Sequence, residues 1–272
     1  MATSFNRILP CWKPRGVYYL IIYMNTITTA LDTFTPISLS EMDEVKLLDR
    51  MDLKFVFHIH QLPVVLSSAA EYYKALTIDN KRFARYETHY FDTDDYELYT
   101  LHHNGRENRH KVRMRSYVDS DLHFFEIKFK SNKGRTIKQR VRLCEPDLKI
   151  EGEARQLLEE VTDIPPDSLK EAIRIDYNRI TLVNNELTER LTIDFDMKYY
   201  IDGKVYGLPE LVIAEVKQDK NGKSPFYHIM QTLRIQETSL SKYSFGIASY
   251  VGSVKKNNFK TKMLYVKKLC NS

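Results

Sequence analysis

Three stretches between Gly105 and Leu143 alternate polar or charged side chains with apolar ones, and this pattern constrains the fold more than any other feature. It runs through Lys111-Val112-Arg113-Met114-Arg115, then Phe125-Glu126-Ile127-Lys128-Phe129-Lys130, then Ile137-Lys138-Gln139-Arg140-Val141-Arg142-Leu143. A period of two is the signature of a β-strand with one apolar and one charged face. Val118-Asp119-Ser120-Asp121 and Ser131-Asn132-Lys133-Gly134 read as the connecting turns. Three adjacent antiparallel strands would then set rows of Lys and Arg side by side, and like charges directly opposite one another repel. Such a face needs water, interleaved acids or a polyanion. The segment holds twelve Lys/Arg against four acids, a net of +8 in a chain whose total is +5, so the rest is net acidic. An anionic partner is expected at this segment.

The same theme recurs along the chain. Arg50, Asp52 and Lys54 alternate with Met51, Leu53, Phe55 and Phe57; Arg190, Thr192, Asp194 and Asp196 alternate with Leu191, Ile193, Phe195 and Met197. Leu211–Lys217 is apolar until Glu215 and Lys217 share one face. With Tyr86–Phe91 and Ile173–Thr181, the pattern predicts about eight strands. Helices are expected over Pro63–Leu76, Glu151–Val161, Ser224–Glu237 (Ser224 as N-cap, Pro225 at the first helical position) and Lys255–Leu269. With 43% hydrophobic and 28% charged residues the chain is globular, neither disordered nor fibrous. Its three cysteines, Cys11, Cys144 and Cys270, form neither a disulfide framework nor a zinc set, which favours a reducing, cytoplasmic setting.

No Pro/Gly/Ser-rich linker and no internal repeat divides the body of the chain. Residues 45–250 are expected to form one domain, 1–44 an N-terminal extension that is partly irregular, and 251–272 a basic C-terminal helix or tail. The apolar run Val17–Met24 is far short of the ~20 residues of a membrane span. Residues 1–23 read as an upstream extension before Met24, or as a tethering or targeting segment. The C-terminal Lys255-Lys256 to Lys267-Lys268 reads as a solvated helix face or a membrane-surface element. His102, His103 and His110 have no partner at metal-ligand spacing, and the Tyr-rich stretch Tyr72–Tyr99 reads as helix-on-sheet packing.

An amphipathic antiparallel sheet ordinarily turns its polar face to water and its apolar face to helices. If instead eight such strands closed, the interior would suit side chains or one slim ligand. A basic lumen would then hold an extended polyphosphate with a divalent metal. Glu126, Asp194, Asp196 and Glu215 would be the candidate metal ligands, since hard cations take carboxylate oxygens and bridge them to phosphate.

A family resemblance is carried by nine fragments in order between Arg50 and Gly246: Arg50-Met51-Asp52-Leu53-Lys54-Phe55; Tyr90-Phe91-Asp92-Thr93 with Tyr96 and Tyr99; Lys111-Val112-Arg113-Met114-Arg115; Glu126-Ile127-Lys128; Lys138-Gln139-Arg140; Tyr177-Asn178-Arg179; Arg190-Leu191-Thr192-Ile193-Asp194; Glu215-Val216-Lys217; and Ser241-Lys242-Tyr243. In these the chain resembles the bacterial form of the VTC domain, the polyphosphate polymerase module within the triphosphate tunnel metalloenzyme (CYTH) superfamily. The resemblance implies an α+β fold: an eight-stranded antiparallel closed β-barrel, the triphosphate tunnel, with helices packed outside. It implies catalytic roles for Arg113, Arg115, Lys128 and Lys54, and phosphate binding by Lys138, Arg140, Arg179, Arg190, Lys217 and Lys242. Metal binding (Mn2+ or Mg2+) falls to Glu215, with Glu126 and Asp194 as helpers.

Two positions depart from the family pattern. Arg50 and Asp52 replace the glutamates of the Glu-x-Glu-x-Lys opening, which favours the VTC branch over thiamine-triphosphatase and adenylate-cyclase relatives. Ser239 stands where the eukaryotic polymerase has a second lysine, a change that bears on polymerisation more than on phosphate binding.

The activity so implied is polyphosphate synthesis from ATP. A triphosphatase or polyphosphatase, and a non-catalytic polyphosphate- or RNA-binding module, are the alternatives. RNA recognition calls for exposed aromatics between the bases. Here Val112, Met114, Ile127, Phe129 and Val141 fall on the opposite strand face, so nucleic acid is not the expected partner. Family domains often work beside membrane proteins, and no residue here identifies one.

Overall fold

The alternating stretches are strands. The computed structural model describes residues 17–42, 50–219 and 223–271. Its strands are β1 (Thr35–Ile37), β2 (Arg50–His58), β3 (Tyr73–Leu76), β4 (Ala84–Asp92), β5 (Arg109–Tyr117), β6 (Leu122–Lys130), β7 (Thr136–Leu143), β8 (Lys170–Asn184), β9 (Glu189–Ile201), β10 (Lys204–Leu208) and β11 (Leu211–Asp219). The helices are α1 (Val17–Leu31), α2 (Leu39–Met42), α3 (Leu62–Ala69), α4 (Glu97–His103), α5 (Gly152–Val161), α6 (Pro225–Thr232), α7 (Lys242–Tyr250) and α8 (Lys260–Cys270). Eight strands follow one hydrogen-bonded path, β2-β11-β9-β8-β4-β5-β6-β7, with β1, β3 and β10 attached at its margins. Every pairing is antiparallel except that of β1 with β3.

The sheet does not close, and the expected barrel is corrected on this point. β2 and β7 are the two ends of the path, and no ladder joins them among the described residues. The chain itself occupies the outer edge of β2. Phe55 bridges Glu237, and the Thr238 amide donates to the Lys54 carbonyl at 2.7 Å, so those backbone groups are not free to pair with β7. The result is an open sheet that curls strongly. Flat, it would hold β2 and β6 roughly 30 Å apart at ordinary strand spacing. Instead the charges of Lys54 on β2 and Glu215 on β11 act on Lys128 on β6. The strands thus form a trough rather than a tube.

Helices cover both faces, which corrects the expectation that all of them lie outside. On the convex face, Leu53, Phe55, Ile193, Ala214 and Val216 pack with α1, α3 and α6 through Ile27, Leu31, Leu66 and Phe226. Further along that face, Val112, Met114, Phe125 and Ile127 meet Ala154 and Leu158 of α5. The concave face is charged over part of its length and then turns apolar. Val56 and Ile213, two residues beyond Lys54 and before Glu215, join Ile173, Ile175 and Tyr199 under Phe245 and Ile247 of α7 and Val266 of α8. α7 therefore plugs one end of the trough. It lies close because residue 246 is glycine: a Cβ there would sit 2.7 Å from Ile173 Cδ1 and 2.8 Å from Tyr199 Cδ1.

Local signals fared well where they were capping signals. Ser224 accepts from the Tyr227 amide at 3.0 Å and Pro225 opens α6. The helix expected over Pro63–Leu76 ends at Ala69, and Tyr73–Leu76 is β3, because Tyr73 and Ala75 pair with Asn184 and Leu182 of β8 and bury alternately. The run Val17–Met24 is part of α1, while residues 1–16, to which the upstream-extension reading also applies, lie outside the described residues. No described helix is long and apolar enough to cross a membrane.

Candidate functional site

Strand register builds the charged part of the trough. Lys111, Lys128 and Lys138 stand abreast on β5, β6 and β7; Arg113, Glu126 and Arg140 form the next row; Arg115, Phe124 and Arg142 the one after. Across the trough, Glu215 of β11 lies opposite Lys54 of β2 and Thr192 of β9. The helix α7 adds Lys242 and Ser241 from its N-terminus, where Ser241 Oγ caps the Ser244 amide at 3.3 Å.

Two buried carboxylates anchor the guanidinium groups. Glu126, 1% exposed, accepts from Arg113 Nε at 2.7 Å and lies 2.6 Å from Arg113 Nη2. It also meets Lys138 Nζ, and Arg115 Nη1 at 4.0 Å. Arg113 Nη1 donates to Tyr90 OH at 3.2 Å. With those bonds made, one N–H on each of the two Nη atoms remains, a fork suited to two phosphate oxygens. Asp194 accepts a bidentate pair from Arg179, Nε at 2.6 Å and Nη2 at 2.8 Å, and also meets Lys242 Nζ. Burial alone would raise both carboxyls, but Arg113, Arg115 and Lys138 hold Glu126, and Arg179 and Lys242 hold Asp194, far below the usual carboxylate range. Tyr90 reports the same field: burial would raise its phenol, yet Arg113, Arg115 and Lys242 together lower it.

Aromatic rings hold the guanidinium planes. Arg115 lies over Tyr86 at 5.5 Å, Arg179 over Tyr86 and Tyr177 at 4.9 and 5.4 Å, and Lys242 Nζ over Tyr177 at 4.6 Å. Such contacts fix the cations without neutralising them.

Lys111 and Lys128 have no carboxylate in ion-pair contact among the described residues. Lys111 Nζ donates to Ser241 Oγ at 3.0 Å; burial, then Lys128 and Lys54, push its ammonium well down. Burial lowers Lys128 too, with Lys54 and Arg113 adding to it and Glu215 opposing from a distance. We expect Lys128→Met to melt roughly 2–4 °C higher than wild type without ligand, and to bind inorganic tripolyphosphate at least tenfold more weakly. A lower melting temperature with unchanged affinity would refute this assignment.

Of the remaining sequence-predicted residues, Lys54 sits 3.6 Å from Glu215. Burial would raise Glu215, but Lys54, Lys217, Lys128 and Arg179 hold it at about 2. Lys217 pairs in register with Arg190 and Asp52. Arg190 Nη2 turns to Met42 Sδ at 3.0 Å, and Arg140 lies exposed over the Phe124 ring at 4.5 Å. Asp196 falls at a bulge of β9 with φ +52° and faces Lys198 at 3.6 Å, away from these clusters. His102 meets Ser244 Oγ at 2.5 Å, and His110 stacks on Phe129. Sequence reasoning passed over Lys111, Ser241, Tyr86 and Phe124 as site residues. Lys111 was legible, since it shares the period-two face of Arg113 and Arg115.

Lys138 gives the trough a pH dependence. Burial lowers its ammonium to about 8, against the pull of Glu126. A lysine is charged below its pKa, so tripolyphosphate affinity should fall as pH rises from 7 to 9. Titrations of Lys138→Met over the same range should lose that component, and an identical profile in the variant would exclude Lys138 as its source.

No group of three or more His, Cys, Asp or Glu side chains is placed to hold a metal among the described residues. Glu126 and Asp194 are committed to cations. Glu215 is held ionised, its side chain is 22% exposed, and its one ion-pair contact among the described residues is Lys54 at 3.6 Å. One carboxylate completed by substrate phosphates is a normal way to hold Mg2+, and Glu215 fits it.

In sequence, the VTC domain family matches residues 49–251, about three quarters of the chain. No curated protein matches the chain in sequence. Among solved structures, a candidate adenylate cyclase from Bacillus halodurans is 17% identical with a TM-score of 0.50, covering 75% of this chain and 98% of its own. A candidate adenylate cyclase from Vibrio parahaemolyticus is 12% identical (TM-score 0.45; 73% of this chain, 97% of that one). A candidate adenylyl cyclase from Hippeastrum, described as having a dominant triphosphatase activity, is 13% identical (TM-score 0.45; 75% and 98%). At these identities the likeness is one of fold.

Proposed function

Since the chain belongs to the VTC domain family, we propose that it binds a linear phosphate chain in the trough and transfers the γ-phosphoryl group of a nucleoside triphosphate onto a growing polyphosphate. The observation that carries this reading is the charge imbalance. Glu126 and Asp194, the two buried carboxylates that lie among these cations, are consumed by their own arginines and lysines, while Lys111 and Lys128 have no carboxylate in ion-pair contact among the described residues. A sheet face that meets only water gains nothing from setting two half-buried lysines abreast without a carboxylate, where each disfavours the other's charge; an incoming polyanion would favour and match both charges.

Phosphoryl transfer needs in-line placement and stabilisation of charge on the transferring group more than covalent help. In this reading Glu126 and Asp194 are positioning residues: they hold Arg113 and Arg179 with their remaining N–H groups turned to the substrate. Arg113 takes the transferring phosphoryl oxygens, and Arg115 holds the phosphates behind it. Lys54, Lys128, Lys138 and Lys242 neutralise the flanking phosphates, and the N-terminus of α7 adds its partial positive charge. Arg140, Lys217 and, less directly, Arg190 extend the basic path. A divalent ion held by Glu215 and phosphate oxygens would draw charge off those oxygens. The attacking group is a terminal phosphate oxygen, already anionic, so no general base is required.

The test is purified protein with ATP and Mg2+ or Mn2+. Long-chain polyphosphate supports the proposal. Release of free phosphate without polymer supports the triphosphatase reading, and retained polyphosphate binding without either product reduces the protein to a binding module.

A further inference from the structure

The charged face of β6 contains one residue that breaks its own rule. Alternation assigns Glu126 and Lys128 to the trough, and with them Phe124, whose neighbour Phe125 supplies the buried apolar side chain. Phe124 and Tyr117 are both half-buried, and neither joins any of the three apolar cores. They are adjacent, with ring centroids 5.8 Å apart and planes nearly perpendicular. Tyr86 continues the surface, 4.8 Å from Tyr117, and Tyr177 stacks on Tyr86 at 5.4 Å. Register puts Tyr177, Tyr86 and Tyr117 level on β8, β4 and β5. Four rings thus form a continuous shelf on the concave face.

The shelf runs from Tyr177, which meets Lys242 of α7, to Tyr117 and Phe124 at the end of the charged zone farther from the α7 plug. Lys111, bonded to Ser241, marks the plugged end of β5, and Tyr117 lies six residues further, about 20 Å along the strand. Arg115 and Arg142 flank Phe124 in register, and Arg140 lies over its ring. Tyr86 and Tyr177 are accounted for by the arginines and lysine they support. Phe124 has no hydrogen bond to make, and its ring meets the guanidinium of an exposed arginine rather than a core. A ligand made only of phosphate gains nothing from such a surface. A planar heterocycle joined to a triphosphate would use both parts of it.

We infer that Tyr117 and Phe124 form a stacking subsite for the base of a nucleoside triphosphate, whose phosphates run from Arg115 towards Arg113 and Lys128. The inference rests on the functional reading above and adds where the nucleoside end lies. Stacking tolerates any base, so little preference among nucleotides is expected.

The experiment is calorimetric titration, without metal, of β,γ-imido ATP and inorganic tripolyphosphate into wild type, Phe124→Leu and Tyr117→Leu. Both variants should weaken the nucleotide at least fivefold and leave tripolyphosphate within twofold. Unchanged nucleotide affinity, or equal weakening of both ligands, overturns the subsite while the trough reading stands. If wild type binds neither ligand, the functional reading falls and the subsite with it. Ribose 5-triphosphate, which lacks a base, tests the same point on the unaltered protein: it should bind at least fivefold more weakly than the imido nucleotide, and equal affinity overturns the subsite whatever the variants do.

Discussion

Arg113→Ala should lower turnover at least a thousandfold while leaving the protein folded. An arginine that stabilises charge on a transferring phosphoryl group contributes about 10³–10⁵ in rate; Arg113 is proposed for that role, and its fork is held in place by Glu126 and Tyr90. Removing one partner of a buried ion pair usually costs about 3–5 kcal/mol. Here Glu126 keeps Lys138 and the 4.0 Å contact with Arg115, so the loss of stability should fall below that range. Arg113→Lys separates charge from geometry: it restores a cation near Glu126 but not a planar pair of donors. Its melting temperature should approach wild type while turnover stays at least a hundredfold down. Wild-type turnover in a folded Arg113→Ala protein would remove this residue from the chemistry.

Asp194→Asn should have the largest effect on stability. Asp194 is 3% exposed and serves two cations, so the amide leaves both Arg179 and Lys242 without their counter-charge. The expected cost is about 3–5 kcal/mol, or roughly 10 °C in melting temperature for a domain of this size. The pH dependence has a definite sign. The Asp194 carboxyl is held far below its unfolded value, so its contribution is fully present above about pH 4 and fades as pH falls further. Differential scanning calorimetry should show a constant gap between wild type and variant from pH 7 to pH 5, narrowing below pH 4. If Asp194 served mainly as a metal ligand, the gap would instead appear only with metal present.

Much of the site was legible because strand alternation is local. Arg113 and Arg115 share a face by parity alone, as do Glu126 and Lys128, and the structure brings Arg113, Arg115 and Lys138 around Glu126 with Lys111 and Lys128 in the adjoining row. The pairing partners of the acids were not legible. Glu126 and Asp194 looked like ligands for an ion because sequence gives residue type without distance, and distance commits their oxygens to guanidinium groups. Closure failed for a similar reason: whether β2 meets β7 depends on where Glu237 and Thr238 return, and no strand pattern encodes that. Tyr73–Leu76 carried apolar residues that suit helix or strand equally, and β8 and β1 decided the matter. The helix α7 was missed because Lys-Tyr-Ser-Phe-Gly-Ile-Ala-Ser-Tyr is poor in strong helix formers and has glycine at its centre.

That glycine ties the chemistry to a contact made one helical turn behind it. The ammonium of Lys242 and the hydroxyl of Ser241 are carried into place by a rod whose standoff from the sheet is fixed where Gly246 touches Ile173 and Tyr199. Adding a single methyl group at 246 would lift that rod by a few tenths of an ångström or force the Tyr199 ring aside. Either adjustment would retune the grip on the ligand from a position that never meets it.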